Sequence, residues 1–213
     1  MIRWLLDLLY PPKCILCHKL LPDSTFSVCA KCANHVLSQY PSLRHGTYFT
    51  LCVSPLRYEE PVRGSIHRYK FGNRSFYAEH YASWMAPAVL QELGREFDLV
   101  TWVPVSRKRL RSRGYDQAKL LAEHLASLLG CKACPCLKKR WNNPPQSRVD
   151  VRKERAKNVR GMYMPLDAAT FKEKRVLLVD DIITTGATLE ECSRVLRRAG
   201  AKQVSCATLA MTK

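Results

Sequence analysis

Apolar residues along this 213-residue chain fall into two alternating patterns, short unbroken runs and longer stretches with helical spacing. Val176, Leu177, Leu178 and Val179 form an unbroken run, as expected of a strand buried on both faces of a parallel sheet. The amphipathic stretch that follows carries Leu189, Cys192, Val195, Leu196 and Ala199 on one helical face. Upstream, residues 48–58 read as one or two strands, 62–71 as a short helix ending at Gly72-Asn73, and 76–97 as a long helix that includes Pro87. Residues 99–105 form another buried run. In 114–129, Ala118, Leu121, Ala122, Leu125 and Leu129 share one helical face, and 161–164 and 204–209 read as further strands. Strands alternating with helices predict an α/β fold, a mostly parallel sheet covered on both sides. No repeat or low-complexity segment interrupts it.

The junction after the 176–179 run carries chemistry. Asp180 and Asp181 stand at its carboxyl end, and Thr184, Thr185, Gly186, Ala187 and Thr188 lead into the helix. A helix start offers unpaired amide N–H groups and the positive end of the macrodipole, so it suits a phosphate. The paired acids suit sugar hydroxyls or a metal. The loop lacks both G-x-x-x-x-G-K-[ST] and G-x-G-x-x-G, which excludes the common nucleoside-triphosphate and dinucleotide cradles. A second candidate follows the 99–105 run. There VPVSRKRLRSRGYDQA brings Lys108, Arg109 and Arg113 to the end of a strand, where ligands of open α/β sheets bind. Arginines in that place suit a pyrophosphate, and the same residues also suit a solvated loop leading to Asp116 as a helix cap.

Cysteine spacing sets apart the amino-terminal region. Cys14 and Cys17 form one C-x-x-C knuckle and Cys29 and Cys32 another, a set that suits one closed tetrahedral zinc site. A segment this small has little core of its own and needs such a staple. The zinc segment ends near His45, dividing the chain into 1–45 and 46–213. Cys131, Cys134 and Cys136 read as loop cysteines, a second metal site with Cys52 being the lesser reading, and Cys192 and Cys206 read as core. No run is long enough to span a bilayer. The opening MIRWLLDLLYPP is a poor signal peptide, interrupted by Asp7 and ended by two prolines, and reads as a short helix docked on its own protein.

Charge widens the choice of partner. The formal net charge is +17, which favours polyanions or anionic substrates and is also met by a merely basic surface.

VLLVDDIITTGAT resembles the PRPP-binding motif of type I phosphoribosyltransferases. Together with VPVSRKRLRSRGYDQA, YKFGN, the two knuckles, QSRVDVRKERAKNV and the LLDLLYPPKC opening, it is similar to the ComF/GntX family of competence-associated phosphoribosyltransferases. The resemblance implies a type I phosphoribosyltransferase fold with an amino-terminal zinc ribbon, acting in the cytoplasm in connection with DNA uptake. It implies that Asp180 and Asp181 take the ribose hydroxyls of PRPP and that the 184–188 loop takes its phosphate. Lys108, Arg109 and Arg113 would meet the pyrophosphate with Mg2+, and Gln146, Arg155 and Asn158 would close over the site. One departure matters: hypoxanthine-guanine-type enzymes place an aspartate where this chain has Thr184, which argues against purine salvage of that type and leaves the acceptor open. Two functions follow: an enzyme that transfers phosphoribosyl to an acceptor, or a catalytically weak adaptor of the same fold that binds single-stranded DNA or a competence helicase.

Overall fold

The computed structural model describes residues 11–25, 27–95, 97–140 and 159–213. The expected opening helix and Gln146, Arg155 and Asn158 lie outside the described residues.

After the cysteine knuckles come α1 (Ala30–Leu37), β1 (Ser42–Arg44), β2 (Cys52–Ser54) and β3 (Leu56–Arg57). Then follow α2 (Val62–Phe71), α3 (Tyr77–Leu93), β4 (Leu99–Trp102), α4 (Arg107–Arg113), α5 (Gln117–Leu129) and β5 (Lys132–Ala133). The chain ends with β6 (Leu137–Lys139), β7 (Tyr163–Pro165), β8 (Arg175–Ile183), α6 (Ala187–Arg198) and β9 (Gln203–Met211). The main sheet has the order β1-β2-β9-β8-β4-β5, with β3 also beside β9. Every pairing in it is parallel except β1 with β2, and β6 and β7 form a separate antiparallel pair. Pro55, which has no N–H to donate, separates β2 from β3, so the apolar stretch at 48–58 becomes two strands.

The unbroken run in β8 is explained by two cores. Leu177 and Val179 join Tyr69, Tyr81, Met85, Leu121 and Leu125 on the face covered by α2, α3 and α5. Val176 and Leu178 join Leu189, Cys192, Leu196 and Phe171 on the face covered by α6. The crossover from β4 to β5 runs through α5 on one face and that from β8 to β9 through α6 on the other. The strand order therefore runs outward in opposite senses from the parallel neighbours β4 and β8, which makes their carboxyl ends a topological switch point.

Beyond the unexpected short strands β1, β5 and β6, two differences from the pattern bear on the site. Residues 107–113 form a helix, α4, where the sequence suggested a loop; the Ser106 side chain accepts from the Arg109 amide, and Gly114 closes the helix with φ 79°. Strand β8 runs past the acids to Ile183, since Ile182 and Ile183 still pair with Ala210 and Met211 of β9. The cysteine region also packs into the main core: Cys14, Ile15, Leu16 and Cys32 belong to the α2–α3–α5 cluster. Cys134, Cys136, Cys192 and Cys206 are buried in the α6-side core. The lesser reading of a second metal site finds no support, because the only metal-competent group among the described residues is the amino-terminal four.

Leu177 is fully buried at the centre of β8. Leu177→Ala is expected to cost about 3 kcal/mol of stability through lost burial and the cavity left behind, read from the midpoint of urea unfolding.

Candidate functional site

β4 stays beside β8 only as far as Val179, whose carbonyl accepts from the Val103 amide at 3.0 Å. Pro104 then leads that chain away, which uncovers the edge of β8 where the two acids stand. The Asp181 amide donates to Asp180 Oδ1 at 2.8 Å, and Lys70 Nζ donates to Asp181 Oδ1 at 2.9 Å. The Lys70 and Asp181 side chains are only 19% and 14% exposed. Burial, and next the neighbouring Asp181 carboxylate, push the Asp180 carboxyl up to about 8, against the pull of Lys70. Asp116, Lys139 and Tyr163 also sense its charge.

Near the acids, α4 presents two faces. Arg113, four residues after Arg109, donates to Gln117 Oε1 at 2.7 Å, stacks its guanidinium 4.9 Å from the Phe71 ring centre and feels the charge of Asp181. Arg109 acts electrostatically on Arg113, Lys139 and Tyr163. Lys108 lies elsewhere, with Arg107 and Arg111 in a cleft of about 1180 Å3 closed by Lys138, Lys139 and Arg140 from β6 and its continuation. The three basic residues named from sequence therefore divide: Arg113 lies near Asp181, Lys108 lines the cleft, and Arg109 is exposed within electrostatic reach of Arg113, Lys139 and Tyr163. Asp116 caps α5 as expected, accepting from the Lys119 amide.

The 184–188 loop lies between β8 and α6. Gly186 is the cap of α6 at φ 83°, a conformation that only glycine adopts without strain. A Cβ there would meet atoms no nearer than 3.7 Å, so backbone conformation, and not crowding by the protein, calls for the glycine. A cavity of about 520 Å3 opens against this loop, lined by Thr184, Thr185, Gly186, Arg44, His45 and Lys213 among others. Arg44 Nη1 donates to the Thr184 carbonyl at 2.7 Å, and Glu190 of α6 accepts the amides of Thr47 and Tyr48 at 2.7 and 3.0 Å. Lys70, Arg44 and Lys139 were not singled out from sequence. Lys70 sat inside the YKFGN stretch, but no local pattern marks Arg44 or Lys139, because only the fold brings β1 and β6 to this end of the sheet.

At the other centre, one ligand atom from each of Cys14, Cys17, Cys29 and Cys32 lies within 4.8 Å of the other three. Cys17 Sγ and Cys29 Sγ are 3.7 Å apart. Zinc bonds of about 2.3 Å in a tetrahedron require sulfur separations of about 3.8 Å, so the four residues fit one zinc ion. Burial raises the Cys14 thiol, but amide donors from Cys17, Cys29 and Leu16 outweigh it and bring it down to about 7, whereas burial raises the thiols of Cys17 and Cys32.

Residues 116–213 match the phosphoribosyl transferase domain, and residues 5–42 match the double zinc ribbon domain. Competence protein F of Haemophilus influenzae is 31% identical over 153 residues, 69% of this chain and 66% of that protein, just under two thirds of its length. The chain is a homologue of the competence F and YhgH proteins. DNA utilization protein YhgH of Salmonella typhimurium is 28% identical over 235 residues, covering 95% of this chain and 98% of that protein. A solved structure of the allosteric regulatory enzyme of purine biosynthesis aligns at TM-score 0.43 and 26% identity over 62% of this chain and 25% of its own. The fold is that of type I phosphoribosyltransferases with an amino-terminal cysteine cluster in a zinc ribbon. The match begins at Asp116, so Arg44, Lys70, Arg109 and Arg113 reach the site from chain outside it.

Two outcomes are expected. Because folding raises the Asp180 carboxyl, that group favours the folded state most at low pH and the advantage is lost as pH rises from about 4 toward 8. Asp180→Asn should therefore raise the melting temperature of the ligand-free protein by a few degrees at pH 8 and by less at pH 5, measured by scanning calorimetry. Replacing Cys14 and Cys29 together with serine should remove about one zinc per chain; undiminished zinc in elemental analysis would reject the four-cysteine assignment.

Proposed function

We propose that this protein binds PRPP as its magnesium complex and transfers the phosphoribosyl group to an acceptor, in the cytoplasm and in connection with the use of incoming DNA. The observation that carries this reading is the pair Asp180–Asp181 at the uncovered edge of β8, with a phosphate-type loop after it and Arg113 across from it. In this reading the two carboxylates accept hydrogen bonds from the ribose hydroxyls. The 184–188 amides and Arg44 hold the ribose phosphate, and Arg109 and Arg113 face the pyrophosphate. Magnesium would supply charge neutralisation on the pyrophosphate, and the oxygen-only donors of the acid pair suit so hard an ion. The bond from the anomeric carbon to pyrophosphate oxygen breaks as the acceptor's lone pair forms the new bond. Positive charge that develops on the sugar is met by the acid pair, and negative charge on the leaving group by the arginines. Thr184, exposed and holding Arg44 through its carbonyl, offers no carboxylate to a purine.

The second reading, an adaptor for single-stranded DNA or a helicase, is favoured by one observation. Arg107, Lys108, Arg111, Lys138, Lys139 and Arg140 line the larger cleft, and no acidic residue is among its described lining. The relatives' names, competence protein F and DNA utilization protein, point the same way. Among the described residues no helix is long and apolar enough to cross a membrane.

Calorimetric titration separates the readings. Wild type should bind magnesium-PRPP, and Asp180→Asn with Asp181→Asn should lose that binding about a hundredfold or more while keeping its circular dichroism. Arg113→Ala should weaken pyrophosphate more than ribose 5-phosphate, and Arg44→Ala the reverse. A folded double-Asn variant with wild-type affinity would overturn the enzyme reading. Anisotropy with a short DNA strand should show binding that falls steeply with salt if the cleft takes a phosphate backbone, and no binding at low salt would remove the adaptor.

A further inference from the structure

We propose that α2 is a strut joining the four-cysteine centre to the PRPP site, with Lys70 as a positioning residue, so that metal occupancy of the cysteines sets how tightly PRPP is held. The proposal rests on the PRPP reading above for its ligand, and on α2 itself for its mechanism.

One half of α2 is fastened to the first knuckle. Ile15 and Leu16 are the two residues between Cys14 and Cys17, and both are almost fully buried. Ser65 Oγ donates to the Ile15 carbonyl, while Arg68 Nη2 donates to the Ile15 and Leu16 carbonyls at 3.1 and 2.5 Å. The Ile15 amide in turn donates to the Ser27 carbonyl at 2.9 Å, two residues before the second knuckle. The whole turn that a metal would cross-link is thereby presented to α2.

The other end of α2 reaches the candidate site through three successive residues. The Tyr69 hydroxyl donates to the Gln117 carbonyl at 2.9 Å, and the Tyr115 hydroxyl donates to the Tyr69 carbonyl. Lys70 pairs with Asp181 at 2.9 Å, and the Phe71 ring carries the Arg113 guanidinium. Both halves of the site, the acid pair and the pyrophosphate arginine, are thus set by one helix end. Ser65 and Lys70 are about 7.5 Å apart along a helix axis, a link too short and too well packed to absorb movement at one end.

Charge makes the link consequential. Lys70 is the cation paired with Asp181, and a shift of the helix end would leave that largely buried carboxylate without its ion-pair partner. Without a metal, the knuckle loses its cross-link and the carbonyl pair facing Ser65 and Arg68 loses its fixed position. Arg68 would tolerate that poorly, since its Nε is already buried without a hydrogen-bond partner.

The test compares the full chain loaded with zinc and the same chain stripped by chelator under reducing conditions, with circular dichroism as the folding control. Stripping should weaken magnesium-PRPP binding about tenfold or more, and by linkage magnesium-PRPP should slow zinc release to a chromophoric chelator. Independently of PRPP, amide exchange at residues 65–72 should quicken on stripping while the centres of β8 and β9 stay protected. Arg68→Gln should keep one zinc per chain yet weaken PRPP, and stripping zinc from that variant should then change PRPP affinity little. Lys70→Gln should weaken PRPP with the ribbon intact, and Lys70→Arg should restore much of the affinity. A folded, stripped protein with wild-type PRPP affinity and unchanged exchange overturns the strut; if stripping unfolds the chain, zinc-loaded Arg68→Gln with wild-type affinity and unchanged exchange overturns it. Should zinc-loaded wild type fail to bind magnesium-PRPP, the PRPP reading falls, and exchange at 65–72 alone decides whether the strut exists.

Discussion

Two carboxyl groups forced together at the end of a buried strand are the constraint around which this molecule is arranged. Asp180 sits where burial and the charge of Asp181 both oppose its ionisation, and Lys70 supplies the nearby cation that acts against them. Such a pair is a poor choice for stability alone, since charges in a low-dielectric site cost more than an apolar substitute. Its place at a switch point of the sheet is what the proposed PRPP site rests on. The surrounding structure answers that constraint: β4 turns away at Pro104, and α4 and α2 bring Arg113 and Lys70 to the opened edge.

The cysteine region is not a detached appendage. Its knuckle residues Ile15 and Leu16 share a core with Tyr69, Tyr81 and Leu125, and its carbonyls are taken up by Ser65 and Arg68. Just beyond it, Arg44 bonds the phosphate-type loop, and Glu190 takes the next two free amides of the connector. A boundary near residue 45 is still visible in composition, yet in energetic terms the two parts stabilise each other across it. The segment that matches the phosphoribosyl transferase domain supplies the acids and the loop, whereas the chain before it supplies Arg44, Lys70 and Arg113.

Division of the basic residues of α4 gives the site two chemistries instead of one. At helical spacing, Arg109 and Arg113 fall on one side and Lys108 and Arg111 on the other. Arg113 of the first pair feels the charge of Asp181, and the second pair lines the larger cleft with Lys138 and Arg140. A net charge of +17 is therefore not a uniform coating, because part of it is gathered at two addresses on either side of a seven-residue helix.

Elements with strong local signals were determined by the sequence alone. The unbroken run of β8, the helical faces of α5 and α6, the helix at 62–71 and the paired knuckles all follow from periodicity and spacing, because burial on two faces, burial on one face and tetrahedral metal geometry each leave a short-range pattern. The acid pair and its loop were legible for the same reason: their chemistry is contiguous in the chain. Only the tertiary structure decided what lies across from them. Arg44 reaches Thr184 over 140 positions of sequence and Lys70 reaches Asp181 over 111, and a cation at such a distance leaves no periodic or motif trace. Helix α4 was hidden because a string of arginines and lysines reads equally as loop or helix until Ser106 and Gly114 cap it. The fold sets which charges meet at the opened edge of β8, since partner choice between distant segments depends on how the sheet orders its strands and not on any residue's immediate neighbours.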